Sequence, residues 1–397
     1  MRVAAVAVAI VGLLLSGCAL ASAPTDVPVT SGVPAESPTR PVDATPSHPE
    51  VPRPTIRSCA RALVDRLSLA EQVGQLFMMG VYSARDWEVG LLRRHHVGAG
   101  ILLGSSTAGV LTTAAKVRQV KQAGGRLPIL IAVDQEGGIV QRLQGPGFER
   151  IPSAADQAAW PDDELRARAT VWGQQLKSAG VDLNLAPVAD VVPAGLADVN
   201  APIGRLRRGF GSDPDVVAAK AGAFIAGMRA AGVATTVKHF PGIGQVRGNT
   251  DFTTGVTDTV TSADDPLLLP FAQAVRDGVD AVMVSTVRYE RIDPDSLAVF
   301  SPTVISLVRV KFSFDGVIIS DDLGAAASVR SVPAEERGRR FVAAGGDLVI
   351  NATPSLMGRM IDGVLDAARK DARLRQRIPE AATRVVTLKI SLGLAHC

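Results

Sequence analysis

Three short strings in this chain hold most of its capacity for chemistry. They are Asp134-Gln135-Glu136-Gly137-Gly138, Lys238-His239-Phe240-Pro241-Gly242 and Ser320-Asp321-Asp322-Leu323. Each follows a short apolar, β-branched run, so each reads as the exit of a strand into a loop. Together they offer carboxylates (Asp134, Asp321, Asp322), a lysine and an imidazole, with Arg142 and Arg208 in the loops nearby. Histidine is too scarce at strand exits for a metal site, with His239 alone there and His95-His96 at a helix end. Gly242-Ile243-Gly244 is too short to count as a phosphate loop for a nicotinamide or flavin. Glycoside hydrolysis fits the inventory best. It needs a carboxylate nucleophile, a proton donor and polar groups that hold sugar hydroxyls, and it needs no metal or cofactor.

The elements that must position these groups alternate regularly. Strand candidates run Gly74–Met79, Gly98–Leu103, Pro128–Val133, Val181–Ala186, Ala234–Val237, Ala281–Ser285, Val317–Ser320 and Asp347–Asn351. Helical patterns lie between them, among them Asp163–Ser178, Asp213–Ala231, Pro266–Arg276, Pro333–Ala343 and Ser355–Lys370. Glycines 180, 232, 278 and 346 close several of these helices, and Ser68-Leu69-Ala70-Glu71 reads as a capping box. Continuous apolar strands alternating with helices imply a parallel sheet, and eight such units predict an α/β fold of the (β/α)8 barrel type. A doubly wound open sheet is the alternative. In such a barrel the active residues gather at the C-terminal strand ends, where all three strings fall.

These strings, in their order and spacing, resemble those of the family-three glycoside hydrolases, in the β-N-acetylglucosaminidase branch, from about residue 68 to 390. The resemblance implies a retaining exo-β-N-acetylhexosaminidase in which Asp321 is the nucleophile and Asp134, Arg142, Arg208, Lys238 and His239 bind the terminal sugar. Arg207 competes with Arg208, because the segment Ile203–Phe210 is two residues longer than the family pattern. A charged Lys238 is expected to keep the nucleophile ionised. Glu136 reads as a brace of its own turn, and Asp190 as a brace of its loop.

The sequence also departs from the family. The triplet whose histidine is the family's acid/base corresponds here to Asn249, Thr250 and Asp251, and Ile243 and Ser285-Thr286 stand where other family histidines fall. Asp251 is therefore expected to act as general acid/base, from a loop over Ile243–Gly255 that looks mobile. The alternatives are a weakly or non-catalytic sugar-binding lipoprotein and a family-three β-glucosidase.

The ends of the chain bear on location. Arg2, the apolar run Val3–Leu15 and then Leu15-Ser16-Gly17-Cys18 resemble the signal peptide and lipobox of a bacterial lipoprotein. The run is too short to span a bilayer comfortably. The expectation is a signal peptide over residues 1–17, a lipid anchor on Cys18, a Pro-rich disordered tether over 18–56 and the barrel over 57–397. The protein would then be exported and held at the outer face of the cytoplasmic membrane or in the envelope, acting as a monomer on cell-wall-derived glycans. Exported proteins meet oxidising conditions, so Cys59 and Cys397 are candidates for a disulfide. The charge balance of 42 basic to 39 acidic residues and the 4% aromatic content give no footprint for nucleic acid.

Overall fold

The computed structural model describes residues 55–397. The expected signal peptide, the acylated Cys18 and most of the tether lie outside the described residues. No helix among the described residues is long and apolar enough to cross a membrane.

Eight parallel strands close into a barrel in chain order: β1 (Phe77–Val81), β2 (Ala99–Leu102), β3 (Leu130–Val133), β4 (Leu183–Asn184), β5 (Ala234–Phe240), β6 (Ala281–Val284), β7 (Val317–Asp322) and β8 (Leu348–Asn351). β8 pairs back onto β1, with Phe77 opposite Val349, so the open sheet is excluded. All eight strand candidates are barrel strands. The first one starts later than expected, because residues 74–76 still belong to the end of helix Leu69–Gln75. That helix carries the capping box: Ser68 Oγ accepts from Glu71 N at 3.3 Å and Glu71 Oε2 accepts from Ser68 N at 2.8 Å. Gly180, Gly232 and Gly278 sit at positive φ just past their helices, where a Cβ would be strained. Before β8 that role falls to Gly345 (φ 110°) and not to Gly346.

The core has two shells. Between barrel and helices lies one apolar layer, and inside the barrel lies a second that includes Met78, Ile101, Ala132, Leu185, Met283, Ile319 and Ile350. The C-terminal helix Ala372–Ser391 closes the lower end by adding Val385 and Leu388 to that inner layer. A disulfide joins Cys59 of helix Ile56–Val64 to Cys397, with Cα atoms 5.6 Å apart.

Lys389 on the same helix is fully buried, and its Nζ donates to Gln75 Oε1 at 2.6 Å. Burial pushes its ammonium from 10.5 down to about 7, with Asp182 acting against the fall. Between those two values the unfolded chain binds more protons than the folded one, so stability rises with pH, and the whole cost is felt below about 7. Lys389→Met removes this dependence. In urea unfolding, its stability relative to wild type should fall by roughly 3 kcal/mol between pH 7 and pH 10. A difference independent of pH would refute the burial cost.

Candidate active site

The C-terminal ends of the strands open into a cavity of about 460 Å³, whose lining includes Asp134, Glu136, Arg142, Arg208, Lys238, His239, Asp251, Asp321 and Asp322. Ile101, Leu185, Met283 and Ile350, from the inner barrel layer, also line it. All the sequence-predicted sugar-binding and catalytic residues thus meet in one hollow, at the face where barrel loops converge.

Beyond β3 the chain forms a small hairpin, Gln135–Gly137 against Val140–Gln141. Gln135 fixes it from inside: its Nε2 donates to Leu143 O at 2.8 Å and its Oε1 accepts from Leu143 N at 3.0 Å. Gly137 has φ 110°, and a Cβ there would lie 2.2 Å from Pro152 O, so only glycine fits. This packing holds Asp134 and Glu136 at the wall of the cavity.

A buried ion network crosses that wall. Lys238 Nζ lies 2.5 Å from Asp134 Oδ1 and 2.6 Å from Glu136 Oε1. Arg208 forks onto the same glutamate, with bonds of 2.9 and 2.8 Å, and its Nη2 is 3.4 Å from His239 Nε2. Burial alone would raise the Glu136 carboxyl, but Arg208 and Lys238 hold it well below the usual carboxylate range. Burial would lower Lys238, yet Asp134 and Glu136 keep it above its ordinary value, so it stays charged. Glu136 therefore braces two cations rather than only its own turn. Asp190 holds His239: its Oδ2 is 2.7 Å from Nδ1, and its carboxylate also accepts from the amides of His239 and Ile243. Arg207, with φ 55°, turns outward to pair with Asp156 at 2.5 Å, which leaves Arg208 as the one of the two that enters the cavity. Arg142 also lines the cavity, and its buried Nε has no partner among the described residues.

The two adjacent aspartates differ sharply. Asp322 accepts from the amides of Gly324, Ala325 and Ala352, each at 2.8 Å, and so ties the loop after β7 to the one after β8. Among the described residues, Asp321 accepts only from the Asp322 amide, at 2.8 Å. Burial raises its carboxyl to about 6; His239 pulls it down and the Asp251 charge pushes it up. The expectation that Lys238 keeps Asp321 ionised is corrected here. Lys238 is consumed by Asp134 and Glu136, and it is the neighbouring His239 that pulls the Asp321 carboxyl down against its burial.

The loop carrying Asp251 is fastened at both ends. Asn200 Nδ2 contacts the carbonyls of Ile243, Gly244 and Val246 at 2.7–3.1 Å. Further on, Ala327 N donates to Asp251 O and Ser328 N to Thr250 O, both at 3.1 Å. Ser328 Oγ donates in turn to the buried Thr286 Oγ1 at 2.8 Å. The segment expected to be mobile is thus clasped to the turn that follows the Asp321 strand. Asp251 itself is exposed at the mouth. Asn200, Thr286 and Ser328 escape sequence reasoning, because each acts on a loop about 40 or more residues away. Among the described residues no cluster of His, Cys, Asp or Glu has the geometry to hold a metal ion.

The raised Asp321 carboxyl has a thermodynamic consequence. Its folded value near 6 exceeds the ordinary 3.8, so stability falls as pH rises from about 4 to 6 and the cost is complete above 6. Asp321→Asn should stabilise the fold at pH 7 by about 2 kcal/mol, after allowance for water reaching the group through the cavity. The gain should vanish near pH 4. Thermal unfolding across that range checks it, and a loss of stability at pH 7 would contradict it.

Comparison with known proteins agrees with this geometry. The glycosyl hydrolase family 3 N terminal domain profile matches residues 68–388. A curated relative, beta-hexosaminidase LpqI of Mycobacterium tuberculosis, is 32% identical over 95% of this chain and 94% of its own. Among solved structures, a beta-N-acetylhexosaminidase from Beutenbergia cavernae is similar with a TM-score of 0.80 and 44% identity, covering 82% of this chain and 99% of that one. The M. tuberculosis LpqI structure gives a TM-score of 0.74 at 29% identity, covering 83% and 96%. The chain belongs to glycosyl hydrolase family 3.

Proposed function

We propose that this protein is a retaining exo-β-N-acetylhexosaminidase that removes terminal β-linked N-acetylglucosamine, with Asp321 as nucleophile and Asp251 as general acid/base. The observation that carries this reading is the isolation of Asp321. Apart from the exposed Asp251, it is the cavity carboxylate that, among the described residues, no cation pairs with and a single amide reaches, while its neighbours Asp322, Asp134, Glu136 and Asp190 are tied up by amides, cations or His239. A carboxylate left free on the wall of a sugar-sized hollow can attack an anomeric carbon. The names of the relatives, beta-hexosaminidase and beta-N-acetylhexosaminidase, support the sugar.

In the first step Asp321 Oδ bonds to the anomeric carbon as the glycosidic C–O bond breaks, and Asp251 gives its proton to the departing oxygen. In the second step Asp251 takes a proton from water, which attacks the same carbon and releases Asp321, so configuration is retained. Asp134, Arg142, Arg208, Lys238 and His239 grip the sugar. His239 also pulls the Asp321 carboxyl down against its burial.

A competing reading, a sugar-binding protein with little turnover, draws on one observation: Asp251 is exposed, where a general acid is usually enclosed. Turnover of chromogenic and poor-leaving-group β-N-acetylglucosaminides separates the two. Asp321→Ala should abolish both activities, by on the order of 10⁴-fold or more. Asp251→Ala should slow the poor leaving group by on the order of 10²–10⁴-fold and the activated one far less. Below pH 6, kcat/KM should fall about tenfold per pH unit as Asp321 gains its proton. Full activity in Asp321→Ala would end the proposal.

The sequence Leu15-Ser16-Gly17-Cys18 supports a lipid-anchored, exported form, and we propose that it acts as a monomer on cell-wall-derived glycans at the envelope. Detergent phase partition should carry the full chain into the detergent phase and leave Cys18→Ser in the aqueous phase. Identical partition of the two would remove the anchor.

A further inference from the structure

Ten of the eleven phenylalanines are buried or partly buried, and the eleventh, Phe252, is 83% exposed. Its exposure is built into the loop. The Asn249 carbonyl accepts from Phe252 N at 3.1 Å and Thr253 N at 2.8 Å, and the Asn249 side chain accepts from Asp251 N at 2.9 Å. The preceding Thr250 is buried, and the clasp to Ala327 and Ser328 fixes residues 250 and 251. The turn therefore presents the ring to water while holding its backbone in place.

Phe252 lines the same cavity as Asp321 and Asp251. So does Ile139, 62% exposed in the turn of the hairpin after β3. Two large apolar side chains from separate loops are thus left in solvent at one mouth. Exposed apolar surface bordering a polar cavity marks a contact site. The charged groups lie deeper: Lys238, Glu136 and His239 are all buried. The mouth therefore carries two exposed apolar side chains beside Asp251, while the ion network lies deeper.

We propose that Phe252, with Ile139, forms a leaving-group subsite for a second pyranose ring, stacked by its C–H face on the phenyl ring. This rests on the hydrolase reading above. If Asp251 protonates the bridging oxygen, whatever is attached beyond that oxygen must lie beside residue 252. A pyranose carries its hydroxyls around its edge and C–H groups on its faces, so an aromatic ring at the mouth binds the face while the edge stays hydrated. The leaving group this subsite favours is then another sugar ring, in preference to a small alkyl group.

The test compares the β-1,4-linked disaccharide of N-acetylglucosamine with methyl β-N-acetylglucosaminide, on the full-length protein. Phe252→Ala should lower the ratio of kcat/KM for the disaccharide over the methyl glycoside about tenfold, and Phe252→Tyr should keep it within about twofold of wild type. A ratio unchanged in Phe252→Ala, or lowered equally in Phe252→Tyr, overturns the subsite. If the wild type turns over neither substrate, the hydrolase reading fails by itself. Calorimetric binding of the disaccharide then decides the subsite: about tenfold weaker binding to Phe252→Ala supports it, and equal binding overturns it.

Discussion

The buried ion network of Lys238, Glu136 and Arg208 is the constraint on which the active face depends. Glu136 leaves the end of β3, Lys238 lies in β5, and Arg208 stands in the long connection between β4 and β5. Three segments are held in register by one carboxylate with two cations on it. Burying these charges is costly unless each finds its counter-charge and its hydrogen bonds. Here Glu136 meets both cations, Arg208 adds a bond to Pro202 O at 2.9 Å, and Lys238 also meets Asp134. Loss of Glu136 would leave the buried Arg208 without its counter-charge. The network therefore specifies one arrangement of the wall rather than several.

That arrangement assigns different work to carboxylates that look alike in sequence. Asp322 and Asp190 are spent on backbone amides and on His239, and Asp134 and Glu136 are spent on cations. Burial works against the charge of both Asp321 and Asp322, but Asp322 is held by three backbone amides and Asp321 by one. The wall thus keeps Asp321 reactive by tying Asp322, Asp190, Asp134 and Glu136 to amides, His239 and cations, a destabilised group maintained by a stable surround.

The two ends of the barrel divide stability from function. Below, the C-terminal helix plugs the interior with Val385 and Leu388, and Asp347 gathers Arg309, Arg377 and Arg384 where β8 begins. Above, the inner apolar layer ends at Ile101, Leu185, Met283 and Ile350, which serve as cavity lining. Shape at the site is therefore inherited from core packing, and polarity is supplied by the loops.

The sequence by itself determined the elements and the motifs, because both are written in local periods. Strand runs, helix caps and the three strings at strand exits need only neighbouring residues to be read, and they placed Asp134, Lys238, His239 and Asp321 on one rim. The choice of Arg208 over Arg207 needed the positive φ that turns Arg207 out to Asp156. The partner of Lys238 is 104 residues away, so the notion that it attends Asp321 could be tested only in three dimensions. The same holds for the clasp from Thr286 through Ser328 to Thr250, and for the water left around Phe252. Tertiary structure decided these points, because burial and charge pairing depend on which distant segments meet, and local pattern carries no record of that.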